Sequence, residues 1–169
     1  FWFTKTINST DKYFIYPLHY EPEASTLVRA FHFSDQLALI KLIAKLLPID
    51  SILVVKEHSG NKGYRKTEFY RELFYMPNIV LRPPEYDVSK LINNSMCVIT
   101  LTGRMGWEAI VNNKPVITLG RSFWSSIDSV YCVQSWKELS SAIMACYNKK
   151  EQGATHNKDN LVKFTAAYM

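Results

Sequence analysis

Apolar residues along this chain fall into two recurring patterns. Short unbroken runs rich in branched and aromatic residues occupy 13–18, 51–56, 78–81, 96–101 and 115–119, and 129–133 is a sixth candidate. Such runs, continuous rather than alternating and bounded by turn residues, predict parallel strands covered on both faces. Between them lie stretches whose apolar positions recur every three or four residues, the signature of helices. The first is predicted from an N-cap at Ser34, with Asp35 in its first turn, through Leu47, where Pro48 stops it. Leu39, Leu42, Ile43 and Leu46 make one apolar stripe on it and Leu37, Ile40, Ala44 and Leu47 a second, so burial on two faces is expected. Further helices are predicted at about 66–75, at 87–93 with Asp87 as cap, and at 104–112. The last runs to about 149, where Ser135 and Glu138 form a capping box and Leu139, Ala142, Ile143, Cys146 and Tyr147 face inward.

Strand and helix thus alternate about five times with short connections, which predicts an α/β domain with a parallel sheet and right-handed crossovers. The domain is expected over 13–150, after a connecting segment at 1–12 and before a polar loop at 151–160 and a terminal helix at 161–168. Ligands of such sheets bind beyond the carboxyl ends of the strands, so the loops at 19–33, 57–65, 82–87 and 102–108 are where chemistry is expected.

Composition narrows the class. A chain of 169 residues, 47% hydrophobic and 21% charged, can close one ordinary core without metal or disulfide support. No apolar run approaches the roughly 20 residues that span a bilayer, and residues 1–10 lack the features of a secretory leader. Cys97, Cys132 and Cys146 are odd in number, scattered and free of any CxxC pair, which argues against a disulfide framework or a zinc site. Cys97 and Cys146 fall within apolar patterns and are expected in the core of a cytoplasmic protein. The net charge of +5 suits anionic ligands such as nucleotide phosphates, or an anionic membrane face contacted peripherally. Its basic residues are too dispersed to predict a nucleic-acid partner.

Three segments carry candidate chemistry. HYEPEAST (19–26) follows the first strand and packs His19, Glu21 and Glu23 around Pro22, whose fixed φ stiffens the loop. It suits a general base, a nucleophile or a grip on sugar hydroxyls; a capped turn, with Ser25 and Thr26 bonding local backbone, explains it equally. KEHSGNKGYR (56–65) sets Lys56, His58 and Arg65 beside Gly60 and Gly63, a combination that suits a phosphate oxygen but also a plain surface loop. It lacks the spacing of a P-loop. TLTGRMGWEA (100–109) ends a strand with Thr100 and Thr102, turns at Gly103 and starts a helix, with Gly106 allowing close approach. Helix-start amides are a natural phosphate seat. There Glu108 either accepts from ribose hydroxyls or complements the helix dipole, and Trp107 is expected to pack inside rather than stack on a base. No acidic pair or histidine cluster predicts a metal.

In order and placement these segments resemble the C-terminal domain of the capsule polysaccharide biosynthesis family, over roughly residues 13 to 148. That family includes retaining Kdo (3-deoxy-manno-octulosonic acid) transferases and is similar in layout to bacterial sialyltransferases. The resemblance implies a Rossmann-like parallel sheet flanked by helices, the C-terminal half of a GT-B fold. It puts His58 in the role of a phosphate-contacting His-Pro motif, with Ser59 in place of the proline. It puts Thr100, Thr102, Gly103, Gly106 and Glu108 in a nucleotide-gripping motif, with Arg104 where a small or hydroxyl residue is usual. Glu23, followed by Ala24 and Ser25, matches a catalytic acid that is ordinarily Asp.

What the resemblance implies is transfer of a sugar from a nucleotide donor, a CMP-linked acidic sugar held by His58, the 100–108 turn and Lys56, onto a glycan or glycolipid. It implies no cofactor beyond that donor, and an N-terminal acceptor-binding domain preceding this one. Two other readings stand beside it: a UDP-sugar 2-epimerase of similar architecture, and a non-catalytic module that holds a nucleotide or glycan.

Overall fold

The structure is a computed structural model and describes residues 1–20, 35–61 and 65–151. Glu21, Glu23, Ser34 and the expected loop and helix after residue 151 lie outside the described residues. Six strands form one sheet: β1 (Lys12–Pro17), β2 (Ser51–Lys56), β3 (Ile79–Arg82), β4 (Cys97–Thr100), β5 (Val116–Thr118) and β6 (Val130–Cys132). Every pairing is parallel and the order is β3-β2-β1-β4-β5-β6. This is the doubly wound arrangement in which strand order reverses beside the first strand. All predicted strands are present, the sixth included.

Alternation along each strand divides the core into two layers. Phe14, Tyr16, Leu53, Val55, Cys97, Ile99 and Ile117 face one side, where α1 (Gln36–Leu46) and α5 (Trp136–Glu151) cover them. Leu73 of α2 (Thr67–Phe74) joins that side. Tyr13, Ile15, Val54, Val98 and Val116 face the other, covered by Leu91 and Ile92 of α3 (Val88–Asn94) and by Ala109 and Ile110 of α4 (Arg104–Val111). The strands read as unbroken apolar runs because both faces are covered. Cys97 and Cys146 are buried in the first layer and Cys132 is exposed. Burial, with the neighbouring Cys146, holds the Cys97 thiol well above its usual pKa, so it packs as a small apolar group.

Helix ends follow their caps, with two corrections. Asp35, not Ser34, is the N-cap of α1, its side chain accepting from the Ala38 amide at 3.0 Å. Only one face of α1 is fully buried, through Gln36, Leu39, Ile40, Ile43 and Ala44, which draws on both stripes; Leu42 and Leu46 of the first and Leu37 of the second remain partly exposed. Asp87 caps α3 as predicted, accepting from Lys90 N–H. In the box before α5, Ser135 Oγ accepts from Glu138 N–H, while Glu138 reaches back to Gln134 N–H, one residue earlier than the usual reciprocal bond. α4 ends in a Schellman motif: Lys114 N–H bonds to Ala109 O, Asn113 N–H to Ile110 O, and Asn113 takes φ 56°.

The segment before β1 is packed onto the domain. Trp2 and Phe3 lie against the first core layer, Trp2 meets Phe74 edge to face at 5.7 Å, and Phe1 is 87% exposed. Lys5 Nζ donates to Met76 O and Ile79 O, and Arg82 donates to Lys5 O and Leu81 O.

Candidate functional site

A cleft of about 400 Å³ opens at the carboxyl ends of the strands, where order reverses between β1 and β4. Loops leaving neighbouring strands there turn to opposite faces of the sheet, which is what opens a crevice. Its walls are the end of β1 (Pro17 to His19), the turn after β2 (Lys56 to Ser59) and the start of α4 (Thr102 to Met105, and Glu108), with Val88 contributing from α3. His58 and Gly103, 45 residues apart in sequence, therefore share one cavity.

His19 joins β1 to β4. It is 5% exposed, its Nε2 lies 3.1 Å from Thr100 Oγ1, and Leu101 N–H donates to the same nitrogen at 3.3 Å. Thr100 Oγ1 accepts from Gly103 N–H at 3.1 Å, which leaves its own proton for His19. Gln36 brackets the His19 backbone, accepting from its N–H at 2.8 Å and donating to its carbonyl at 3.1 Å. Nε2 thus acts as an acceptor, and the ring braces two strand ends. Gly103 is required by this contact: a Cβ there would stand 2.9 Å from His19 Cε1 and 3.0 Å from Thr100 Oγ1.

On the opposite wall Lys56 is 6% exposed, with Nζ donating to Pro84 O at 2.9 Å and Glu57 O at 3.2 Å. Burial lowers its pKa, and the nearby Glu57, Glu85 and Glu108 oppose that shift. His58 is exposed to the cleft, and its Nδ1 accepts from Gly60 N–H at 3.0 Å within the short 3₁₀ turn Ser59–Asn61. A neutral ring so held carries its proton on Nε2.

The third wall is the start of α4. Gly103 is its N-cap and supplies no side-chain bond; Gly106 N–H bonds to Gly103 O at 3.0 Å, so the amides of Arg104 and Met105 are the ones left for another acceptor. Arg104 projects into solvent, 89% exposed, and pairs with Glu108 one turn on at 3.1 Å. Thr102 keeps its carbonyl toward Ser122 Oγ, 3.5 Å away. Gly106 is buried and absent from the cleft lining; the close approach it permits is to the Trp124 ring, 2.8 Å from where its Cβ would be.

Of the residues singled out from sequence, His19, Lys56, His58, Thr102, Gly103, Arg104 and Glu108 line the cleft together. Thr100 stands directly behind them, fully buried. Glu23 is outside the described residues. Trp107 is half-buried and packs against the second core layer as expected, its ring tilted against Phe123 at 5.4 Å, and Trp124 in that layer is fully buried. Sequence reasoning missed Gln36, Trp124 and Glu57. The last had a signal: a carboxylate at the carboxyl end of the strand SILVVK, with Arg65 one loop away. Among the described residues no cluster of His, Cys, Asp and Glu can hold a metal, and no helix is long and apolar enough to cross a membrane.

Comparison with known proteins places this geometry. The UDP-GlcNAc 2-epimerase of Methanocaldococcus jannaschii matches with a TM-score of 0.62 at 23% identity, covering 86% of this chain and 41% of its own. The KpsC beta Kdo 2,7 transferase of Thermosulfurimonas dismutans matches at 0.56 and 19%, covering 81% of this chain and 46% of its own. HepE of Anabaena, solved with UDP and glucose, matches at 0.54 and 15%, covering 85% and 41%. At these identities the likeness is one of fold, and this chain spans less than half the length of each. No curated protein matches the sequence. The profile of the capsule polysaccharide biosynthesis proteins matches residues 3–128, most of the chain including every wall of the cleft, and the chain belongs to that family.

Proposed function

We propose that this domain holds the nucleotide of an activated sugar, a CMP-linked acidic sugar of the Kdo kind, for glycosyl transfer in the synthesis of a surface polysaccharide. The observation that carries the reading is the sharing of one cleft by His58, the start of α4 with no side-chain cap, and the buried Lys56. Donors fixed before the ligand arrives stabilise a departing phosphate without reorganising, which is the largest service such a site performs. Helix-start amides add the favourable end of the dipole. Family membership supports the polysaccharide setting. In this reading Glu23 is the acid facing the anomeric carbon, and His19 holds the ends of β1 and β4 together beside the cleft. Thr100 and Gly103 shape the α4 turn, while Thr102 and Glu108 meet the ribose side. A second domain supplies the glycan or glycolipid acceptor, at the cytoplasmic face of the membrane.

Calorimetric titration with CMP, UDP and other nucleotides tests it. CMP binding is expected, and His58→Ala is expected to weaken it at least tenfold, about 1.4 kcal/mol for one bond to a charged oxygen. The fold shared with a UDP-GlcNAc 2-epimerase favours a second reading, an epimerase-like site, which exclusive UDP binding would establish. Absence of any nucleotide binding would refute both and leave a non-catalytic module.

A further inference from the structure

We propose that Glu57 is a positioning residue that holds His58 in its phosphate-donating pose; the inference deepens the nucleotide-binding reading and rests on it. Glu57 is 3% exposed, yet its carboxylate receives three donors. Oε1 accepts from His58 N–H at 2.7 Å, Oε2 accepts from Tyr70 Oη at 2.5 Å, and Arg65 Nε lies 3.3 Å from both oxygens. A buried carboxylate is tolerated only when its lone pairs are met in this way. Burial and the bond to Glu57 push the Tyr70 phenol above its usual pKa, so it stays a donor. Arg65 also donates to His19 O at 2.5 Å and lies over the Phe69 ring at 5.0 Å, so the carboxylate is tied to β1 and α2 as well.

The consequence falls on His58. Its N–H is held by Glu57, its carbonyl accepts from Asn61 N–H at 3.1 Å, and Nδ1 accepts from Gly60 N–H. Three anchors fix this cleft-lining residue, and the bond to Nδ1 leaves the ring proton of the neutral form on Nε2. A generic buried ion pair would stabilise the fold from anywhere; this one terminates on the backbone of the histidine that reads the ligand. Preorganisation of that kind is what a hydrogen-bonding site needs from the residues behind it.

The test uses the whole chain and four variants: Glu57→Gln, His58→Ala, their double and Tyr70→Phe. Long-range nitrogen–proton correlation near about pH 8, above the ordinary imidazole value, reads the ring tautomer without ligand. His58→Ala identifies the signal among the four histidines. In the parent chain a single Nε2–H tautomer is expected. In Glu57→Gln the amide NH₂ opposes the Tyr70 and Arg65 donors, so the tautomers should mix and CMP affinity should fall about tenfold. On the His58→Ala background the same substitution should cost nothing further. If Glu57→Gln does not fold, Tyr70→Phe, which removes one donor from Oε2, should move the same signals the same way. A lowered melting temperature with the Nε2–H tautomer intact, or an affinity loss that adds to that of His58→Ala, overturns the proposal. Should the parent chain bind no nucleotide, the site reading fails, and the tautomer measurement alone decides the role of Glu57.

Discussion

Gly106→Ala pits two effects of similar size against each other. Alanine in place of glycine favours a helix by about 1 kcal/mol, less near an end. Against this, the new methyl would lie 2.8 and 2.9 Å from two atoms of the Trp124 benzo ring and 3.0 Å from Thr100 Cγ2. Trp124 is 1% exposed and packed against the second core layer, so it has nowhere to retreat. Overpacking of this kind costs about 1–3 kcal/mol, so a net loss of about 1 kcal/mol is expected. Urea denaturation should show the midpoint falling with the slope unchanged. On a Trp124→Phe background, where the benzo ring is withdrawn, the same substitution should stabilise by up to about 1 kcal/mol, a coupling of about 2 kcal/mol. Stabilisation in the parent chain, or strict additivity of the two changes, would show that the glycine is not there to admit the tryptophan.

Two further expectations concern the frame around the site. Bonds from Lys12 and Tyr147 hold the Asp50 carboxyl below its usual pKa, so its contribution to stability is complete above the ordinary value of 3.8 and is lost as pH falls through the lowered one. Asp50→Asn should therefore lower stability slightly at neutral pH, where that contribution is present, leave it unchanged at low pH, and so flatten that part of an acid denaturation curve. At Asn113, φ 56° disfavours a Cβ without a local polar partner, so Asn113→Ala should lower stability by about 1 kcal/mol in a urea titration while Asn113→Gly leaves it level or raises it.

The sheet was legible because its strands are buried on both faces, which writes them as uninterrupted apolar runs such as ILVV and CVIT. Local ambiguity remained where two residues offer the same chemistry. Ser34 and Asp35 are both good caps, and only the path of the first turn chose Asp35. The doubled stripe of α1 suggested two buried faces because leucine is compatible with partial exposure. In the site, His58 and Gly103 were readable from their position after strands. Gly106 misled because a glycine that admits a ligand and one that admits an indole look alike in sequence. Trp124 lies in RSFWSS, which has no period to assign it a face. Glu57 escaped notice because a charged residue beside a glycine loop is ordinarily solvated; its burial depends on Arg65 and Tyr70 arriving from elsewhere in the chain.

The free side of β3 bears one more consequence. Asn78 O and Arg82 O already accept from β2, which leaves Ile79 O and Leu81 O pointing outward, and these two are occupied by Lys5 and by Arg82 itself. A visiting strand finds its acceptors taken and two cations in its path, so the sheet cannot be extended there by another copy. Cutting away the first eight residues would uncover Ile79 O, and the shortened chain should become prone to stacking on itself.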